Sequence, residues 1–242
     1  MDTQISLLSW NVHMHDFAEN NEYVVSEIKN LDLPDIICLQ EYVEGRDSTA
    51  LRWLKDNDYK VIYLASAKFP QDNNISQGVL TAVRKSLVSS SEKIILRKDS
   101  PRRFRNFNNI RGAIDTVVTL KDSSRVSILN FHATLPRPYT VDMRRREFLK
   151  LVEYMGNLPS DRKIILCGDF NFIGIDNRKK LLIEKFDYYT GSFLRTTWKH
   201  KNTFGLIRLN LDYIFWTPSL NIKAKVKPFN TSDHRPISVI VN

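Results

Sequence analysis

The chain has 242 residues, 42% hydrophobic and 11% aromatic, enough for one large domain with its own core; this excludes a disordered or low-complexity protein. No apolar stretch approaches the roughly 18 residues of a membrane span. MDTQISLLSWNV, with an acidic second residue and Ser9 interrupting its apolar run, reads as a first strand rather than a signal peptide. The formal charge of +9 favours an anionic partner without saying which. Together these features lead us to expect a single domain over residues 1–242, without a transmembrane segment, monomeric and cytoplasmic. Cys38 and Cys167 both sit inside apolar runs and read as buried, reduced thiols.

In chain order, ISLLSWNV (5–12) reads as a strand and Asn20 to Leu31 as an amphipathic helix with Val24, Ile28 and Leu31 on one face. After Pro34 and Asp35, IICLQ is a buried strand ending on Glu41. A helix is expected near Ser48 to Lys55, a strand at Tyr59 to Leu64, a polar loop from Ser66 to Gln77 and then the strand GVLTAVR. Ser89 to Asn109 is the least regular part, with Arg97, Lys98, Arg102, Arg103 and Arg105 interleaved with Phe104 and Phe107, a composition suited to a polyanion. GAIDTVVTL and RVSILNFHA, joined by the polar turn Lys121 to Ser124, predict a hairpin whose second strand runs to His132. Thr140 to Met155 is a helix, with Phe148, Leu151, Val152 and Met155 on one face and Arg144, Arg145 and Arg146 on a solvated one.

KIILCGDFNF (163–172) is a strand buried on both faces that ends by projecting Asp169 and Asn171. A helix follows over Asn177 to Phe186. LDYIFWT, led by Asp212, and NIKAKVK are strands, and TSDHRPISVIV closes the chain with Asp233 and His234 ahead of a buried strand. Strands in hairpins and strands alternating with helices call for a mixed sheet or a pair of sheets.

Asn11, Glu41, His132, Asp169, Asn171, Asp212, Asp233 and His234 all fall at or just beyond the end of an apolar strand. One such residue is ordinary turn chemistry, but eight in this order are not. Carboxylates around Glu41 supply the oxygen ligands of a hard cation such as Mg²⁺. Asp212 paired with His234 would orient the ring and favour its protonated form, and Asn171 donates hydrogen bonds without adding charge. His13, His15 and His200 receive no role at this level. The set amounts to the means of phosphoester hydrolysis.

These residues stand in SWNV, LQE, NFHAT, GDFN, LDYIF and SDHRP, and with them nearly the whole chain resembles the endonuclease/exonuclease/phosphatase superfamily, the DNase I-like fold. The resemblance implies an α/β four-layer sandwich, two packed mixed β-sheets flanked by helices, and Mg²⁺-dependent (or Mn²⁺-dependent) attack of water on a phosphoester. It implies Glu41 as principal metal ligand with Asn11 and Asp233 adjacent, Asp169 on the water, and Asn171 on the water or scissile phosphate. His234 oriented by Asp212 would stabilise the phosphoryl transition state, His132 would contact phosphate or assist the leaving oxygen, and Arg111 resembles an arginine that some members aim at the phosphate. Ser76 and Gly78 stand where nucleases proper place a tyrosine and a glutamate. The charge favours nucleic acid, DNA or RNA, as substrate, with Arg102, Arg103 and Arg105 as its binding residues. The alternatives are a phospholipid, inositol phosphate or other small phosphoester, and a catalytically idle binding module.

Overall fold

In the computed structural model the uninterrupted apolar runs are strands covered on both faces. The structure describes residues 4–13, 20–45, 48–69, 72–98, 110–135, 140–173, 176–192, 195–200, 206–228 and 232–242. The elements are β1 (Ile5–Asn11), α1 (Asn20–Asn30), β2 (Ile36–Glu44), α2 (Thr49–Asp56), β3 (Tyr59–Phe69), β4 (Asp72–Arg84), β5 (Val88–Arg97), β6 (Arg111–Thr119), β7 (Arg125–His132), α3 (Val141–Gly156), β8 (Lys163–Asp169), α4 (Asn177–Ile183), β9 (Asp187–Tyr189), β10 (Trp198–Lys199), β11 (Arg208–Leu209), β12 (Asp212–Trp216), β13 (Ile222–Val226) and β14 (Ile237–Val241).

Two six-stranded mixed sheets result, ordered β13-β14-β1-β2-β4-β3 and β5-β6-β7-β8-β12-β9. Each contains one parallel pair, β1 with β2 and β7 with β8, whose crossovers contain α1 and α3. Alternation along the strands explains the layering. Leu7, Ile36, Cys38, Ile128, Ile165, Cys167 and Val239 meet in one apolar cluster shared by the two sheets. Leu8, Trp10, Ile37 and Leu39 face the other way, toward Val24, Ile28, Leu51 and Leu54 of α1 and α2. Leu129, Phe131, Leu166 and Phe215 likewise meet Phe148, Leu151 and Leu182 of α3 and α4. The outcome is the expected four-layer α/β sandwich. Both cysteines are free and buried, and burial, with Cys167 close by, raises the Cys38 thiol well above its ordinary range.

The apolar layer between the sheets contains a polar lock. Asn130 of β7 is fully buried and donates from Nδ2 to Leu80 O (2.8 Å), Leu39 O (3.2 Å) and Thr81 Oγ1 (3.2 Å) in the opposite sheet. Its Oδ1 accepts from Gln40 Nε2 of β2 (2.8 Å). Gln40 precedes Glu41 and Asn130 lies two residues before His132, so this lock fixes the two sheets against each other directly beneath those residues.

The structure departs from the sequence reading in four places. Of Ser66 to Gln77, expected as a loop, residues 66–69 and 72–77 belong to β3 and β4, which pair antiparallel. β5 takes up the first part of the segment expected to be irregular; it is an edge strand whose first eight residues are all at least partly exposed, which explains its Ser-Ser-Ser-Glu sequence. The helix expected to reach Phe186 ends at Ile183 and gives way to the edge strand β9. β2 continues past Glu41 to Glu44, with a register shift between Leu39 and Tyr42.

Truncating the lock tests its weight. Asn130→Ala removes the donor to two backbone carbonyls and the Thr81 hydroxyl and takes one acceptor from Gln40 Nε2, which keeps Cys38 O, in a buried layer, and a loss of about 3 kcal/mol is expected. Urea unfolding measures it; a loss under about 1 kcal/mol would mean that the sheets do not depend on this contact.

Candidate active site

Strand register brings the predicted residues together. His132 and Asp169 end the parallel strands β7 and β8 as register partners, and Asp212 opens β12 opposite Asp169. Asn11 ends β1 beside Gln40. Glu41 is pushed out of β2 by the bulge at a φ of 54°, and Asn171 and His13 adopt φ of 49° and 46°. Non-glycine residues in this region cost of the order of 1–3 kcal/mol each, and such strain gathers at functional sites. Gly168 serves the same end: its φ is 138°, and a Cβ there would lie 1.8 Å from Phe131 O, so only glycine lets β8 approach β7 this closely.

His13, Glu41, His132, Asp169, Asn171, Asp233 and His234 line a cleft of about 310 Å³ with Arg111, Gln77 and Trp198, while Asn11 and Asp212 are buried beside them. Asn11 Nδ2 donates to Asp169 Oδ2 (3.0 Å) and Glu41 Oε1 (3.3 Å), while its Oδ1 accepts from His13 N (3.0 Å). The flipped amide would set oxygen against two carboxylates, so this network fixes the orientation. Asn11 therefore bridges the carboxylates through its nitrogen instead of offering oxygen to a cation. Asn171 donates through its backbone N to Asp169 Oδ1 (2.9 Å) and through Nδ2 to Ala133 O (3.1 Å). His234 Nδ1 lies 2.8 Å from Asp212 Oδ2, and its Nε2 lies 3.9 Å from Asp169 Oδ2.

The two buried histidines take opposite charge states. For His234, burial disfavours the imidazolium, but Asp212, Asp169 and Asp233 outweigh it and push the value up to about 10. For His132, burial, reinforced by Arg111 and His234, overcomes the pull of Glu41 and takes the value down to about 4. His132 Nε2, 3.6 Å from Glu41 and 3.7 Å from Asp169, thus approaches them as a neutral ring and not in ion pairs. Asp169 is raised by burial and by Asp212 beside it. Burial also resists the charge of Glu41, yet the contact with His13 and the fields of the neighbouring imidazoles hold that carboxyl well below its usual range.

The donor set fits a divalent cation. Glu41, His132 and Asp169 offer ligand atoms within 4.8 Å of one another, and so do Asp169, Asp212 and His234. In the second group His234 Nδ1 is already engaged with Asp212, whereas His132 Nε2 and Asp233 Oδ1 are buried without hydrogen-bond partners among the described residues. The first group is therefore the better cation site. Carboxylates with retained waters suit Mg²⁺, and an added imidazole suits Mn²⁺.

Several contributors escaped the sequence reading. His13 Nδ1 lies 3.6 Å from Glu41 and 3.5 Å from Asp233, Gln77 Nε2 donates to Glu41 Oε2 (3.2 Å), and Trp198 Nε1 donates to Asp233 Oδ2 (3.1 Å). Only the position of His13 just after Asn11 gave a hint. Arg97, grouped with the basic segment, is instead buried: its Nε meets Glu147 Oε2 at 3.3 Å and it donates to Thr134 Oγ1 at 3.2 Å. Glu147 also accepts from Thr134 N (3.0 Å), and so clamps the His132–Ala133–Thr134 segment from behind. Arg102, Arg103, Arg105 and His15 lie outside the described residues.

Two packed mixed sheets with histidines and carboxylates converging at one end define a phosphoester-hydrolase architecture. The chain belongs to the Endonuclease/Exonuclease/phosphatase family, whose family model matches residues 8–234. Among solved structures it is similar to an endonuclease/exonuclease/phosphatase from Beutenbergia cavernae (TM-score 0.78, 14% identity, 98% of this chain and 71% of that one). It is also similar to the human Nocturnin catalytic domain with bound sulfate (0.74, 18%, 100% and 96%) and to humanized D. rerio TDP2 (0.70, 18%, 99% and 99%). No curated protein matches by sequence.

Histidine NMR on the metal-free protein reads the charge states directly: His234 is expected to stay protonated until about pH 10 and His132 neutral down to about pH 4. His234 then contributes stability that is full below about pH 6.5 and lost as pH rises through its folded value. His132 acts in the other direction, its contribution vanishing as pH falls from about 6.5 toward its folded value. A His234 that titrates near 6.5 would sink the assignment. Glu147→Gln, which keeps the side chain's shape, is expected to lower turnover about tenfold with substrate affinity unchanged; a fall in affinity alone would refute the clamp.

Proposed function

We propose that this phosphoester hydrolase is a metal-dependent phosphodiesterase that cuts nucleic acid by attack of water. The observation that carries this reading is the mixture of charge in one small cleft. A protonated His234 and the guanidinium of Arg111, whose Nε is buried without a partner among the described residues, line it together with the donors Glu41, His132 and Asp169. Cations and cation ligands gathered in one cleft suit a phosphoryl group bound among them.

Mg²⁺ or Mn²⁺ would be held by Glu41 with Asp169, His132 and Asp233, and when bound it neutralises and polarises the phosphoryl group. The remaining work belongs to the chain. Asp169, raised by burial and by Asp212, is tuned toward taking a proton from the attacking water. Asn171, tied to Asp169 and to Ala133 O, holds that carboxylate in line. His234, oriented by Asp212, donates from Nε2 as charge grows on the phosphoryl oxygens, and Asp212 keeps it protonated while it does so. Asn11 keeps Glu41 and Asp169 apart without neutralising either.

The formal charge of +9 supports a polyanionic substrate, because capture of a phosphate backbone is a sequence-independent electrostatic effect. The sulfate of the Nocturnin catalytic domain supports a tetrahedral oxyanion as ligand. Arg102, Arg103 and Arg105 remain part of this proposal as strand-binding residues.

With Mg²⁺ or Mn²⁺ the purified protein is expected to cut plasmid DNA or RNA, and chelation to abolish cutting. Glu41→Gln and His234→Ala are each expected to lower the rate at least about a hundredfold with the thermal transition retained. Intact nucleic acid beside phosphate released from an inositide would overturn the substrate. Replacing Arg102, Arg103 and Arg105 by alanine is expected to weaken nucleic-acid binding and flatten its salt dependence.

A further inference from the structure

A second concavity among the described residues is larger than the catalytic cleft. A groove of about 660 Å³ lies between α3 and α4, and its wall begins at Ile173, two residues after Asn171. Four exposed aliphatic side chains meet in it, Val141, Leu149, Ile173 and Leu181, all at least 43% exposed. Exposed apolar surface gathered in one concavity marks a binding site more often than the same residues scattered singly.

Its charge is equally uneven. Of the three consecutive arginines of α3, Arg145 and Arg146 are exposed, and Arg146 pairs with Asp142 at 3.2 Å. Arg144 and Arg145 line the groove. Arg144 is half-buried, and its Nε is shut from solvent with no hydrogen-bond partner among the described residues. Across from them Arg178 is paired twice with Asp176 and lies over the Phe172 ring. Burial and the like charge of Arg178 depress Arg144, which Asp176 only partly relieves. Two cations thus await an anion beside an apolar wall.

The cations and the Asn177 amide line the same groove as the aliphatic side chains. An alkyl chain would leave those groups unsatisfied. A nucleobase, with apolar faces and polar edges on a phosphate chain, meets both kinds of wall. We propose that the groove holds an unstacked base of the strand flanking the scissile phosphate, with that nucleotide's phosphate on Arg144 and Arg145. The inference rests on the nucleic-acid reading above and adds a preference for single-stranded or frayed substrate. A paired base would first have to leave its stack, at a cost of a few kcal/mol.

The test uses a fluorescein-labelled single-stranded hexanucleotide and a blunt duplex hairpin of the same sequence, in chelator. The single strand is expected to bind about tenfold more tightly than the duplex, and R144A/R145A and Ile173→Asp each to cost about tenfold on the single strand. Hydrolysis of bis(p-nitrophenyl) phosphate, too small to span cleft and groove, is expected to be unchanged in both variants. Equal affinity for the two probes, or variants that bind like wild type, overturns the proposal. Loss of binding to anionic phospholipid vesicles with oligonucleotide binding intact overturns it in favour of a lipid. Single-strand binding that depends on Arg144 in a protein that cuts no nucleic acid supports the groove and defeats the substrate reading. Cleavage of both strand types at wild-type KM by the variants defeats the groove and leaves that reading standing.

Discussion

The cluster depends on the hydrogen bonds that Asn130 makes across the layer between the sheets. An apolar sandwich resists separation well and sliding poorly, because dispersion and burial are nearly indifferent to register. Asn130 and Gln40 remove that freedom, since their bonds form at one register only. Glu41 and His132 then stand a fixed 3.6 Å apart although they come from different sheets. Specificity of arrangement, more than net stability, is what a buried polar network contributes.

Onto that frame the chain builds an electrostatic gradient within a few ångströms. His234 is held protonated and His132 neutral by differences in their company: the first has Asp212 at hydrogen-bond distance, the second has Arg111 and His234 as cationic neighbours. Burial disfavours the charged form of both rings; it prevails at His132 and is outweighed by the carboxylates at His234. The same residue type therefore serves as a cation in His234 and as a potential ligand in His132 within one cleft. The clamp of Glu147 on the His132–Thr134 segment extends this order one layer outward, to α3.

How much of this was legible in the sequence follows from which forces leave a local trace. Strands buried on both faces announce themselves, so β1, β2, β7 and β8 and the residues at their ends were readable, as was the DNase I-like family through GDFN and SDHRP. Edge strands such as β5 and β9 were not, because their residues satisfy ladder hydrogen bonds while facing water. Arg97 looked like part of a basic loop, since nothing in RKDSPRRFRN reveals that Glu147, fifty residues on, waits to pair with it. Trp198 and Gln77 were invisible for the same reason: their roles exist only once the sheets meet. The orientation of the Asn11 amide, likewise, is a property of three neighbours and not of SWNV.

The two sheets share one wiring: in each, a parallel pair with a helical crossover is flanked on both sides by two antiparallel strands. Corresponding strands deliver corresponding groups. The first strand of each pair ends on an uncharged nitrogen-bearing side chain, Asn11 or His132, and the second carries a carboxylate, Glu41 or Asp169. By themselves those four groups have almost the same appearance from either side. Direction enters where the flanking strands differ, Asp212 and Arg111 on one sheet and His234, just ahead of β14, on the other, so the asymmetry of the cleft is written in the parts that break the resemblance between the halves.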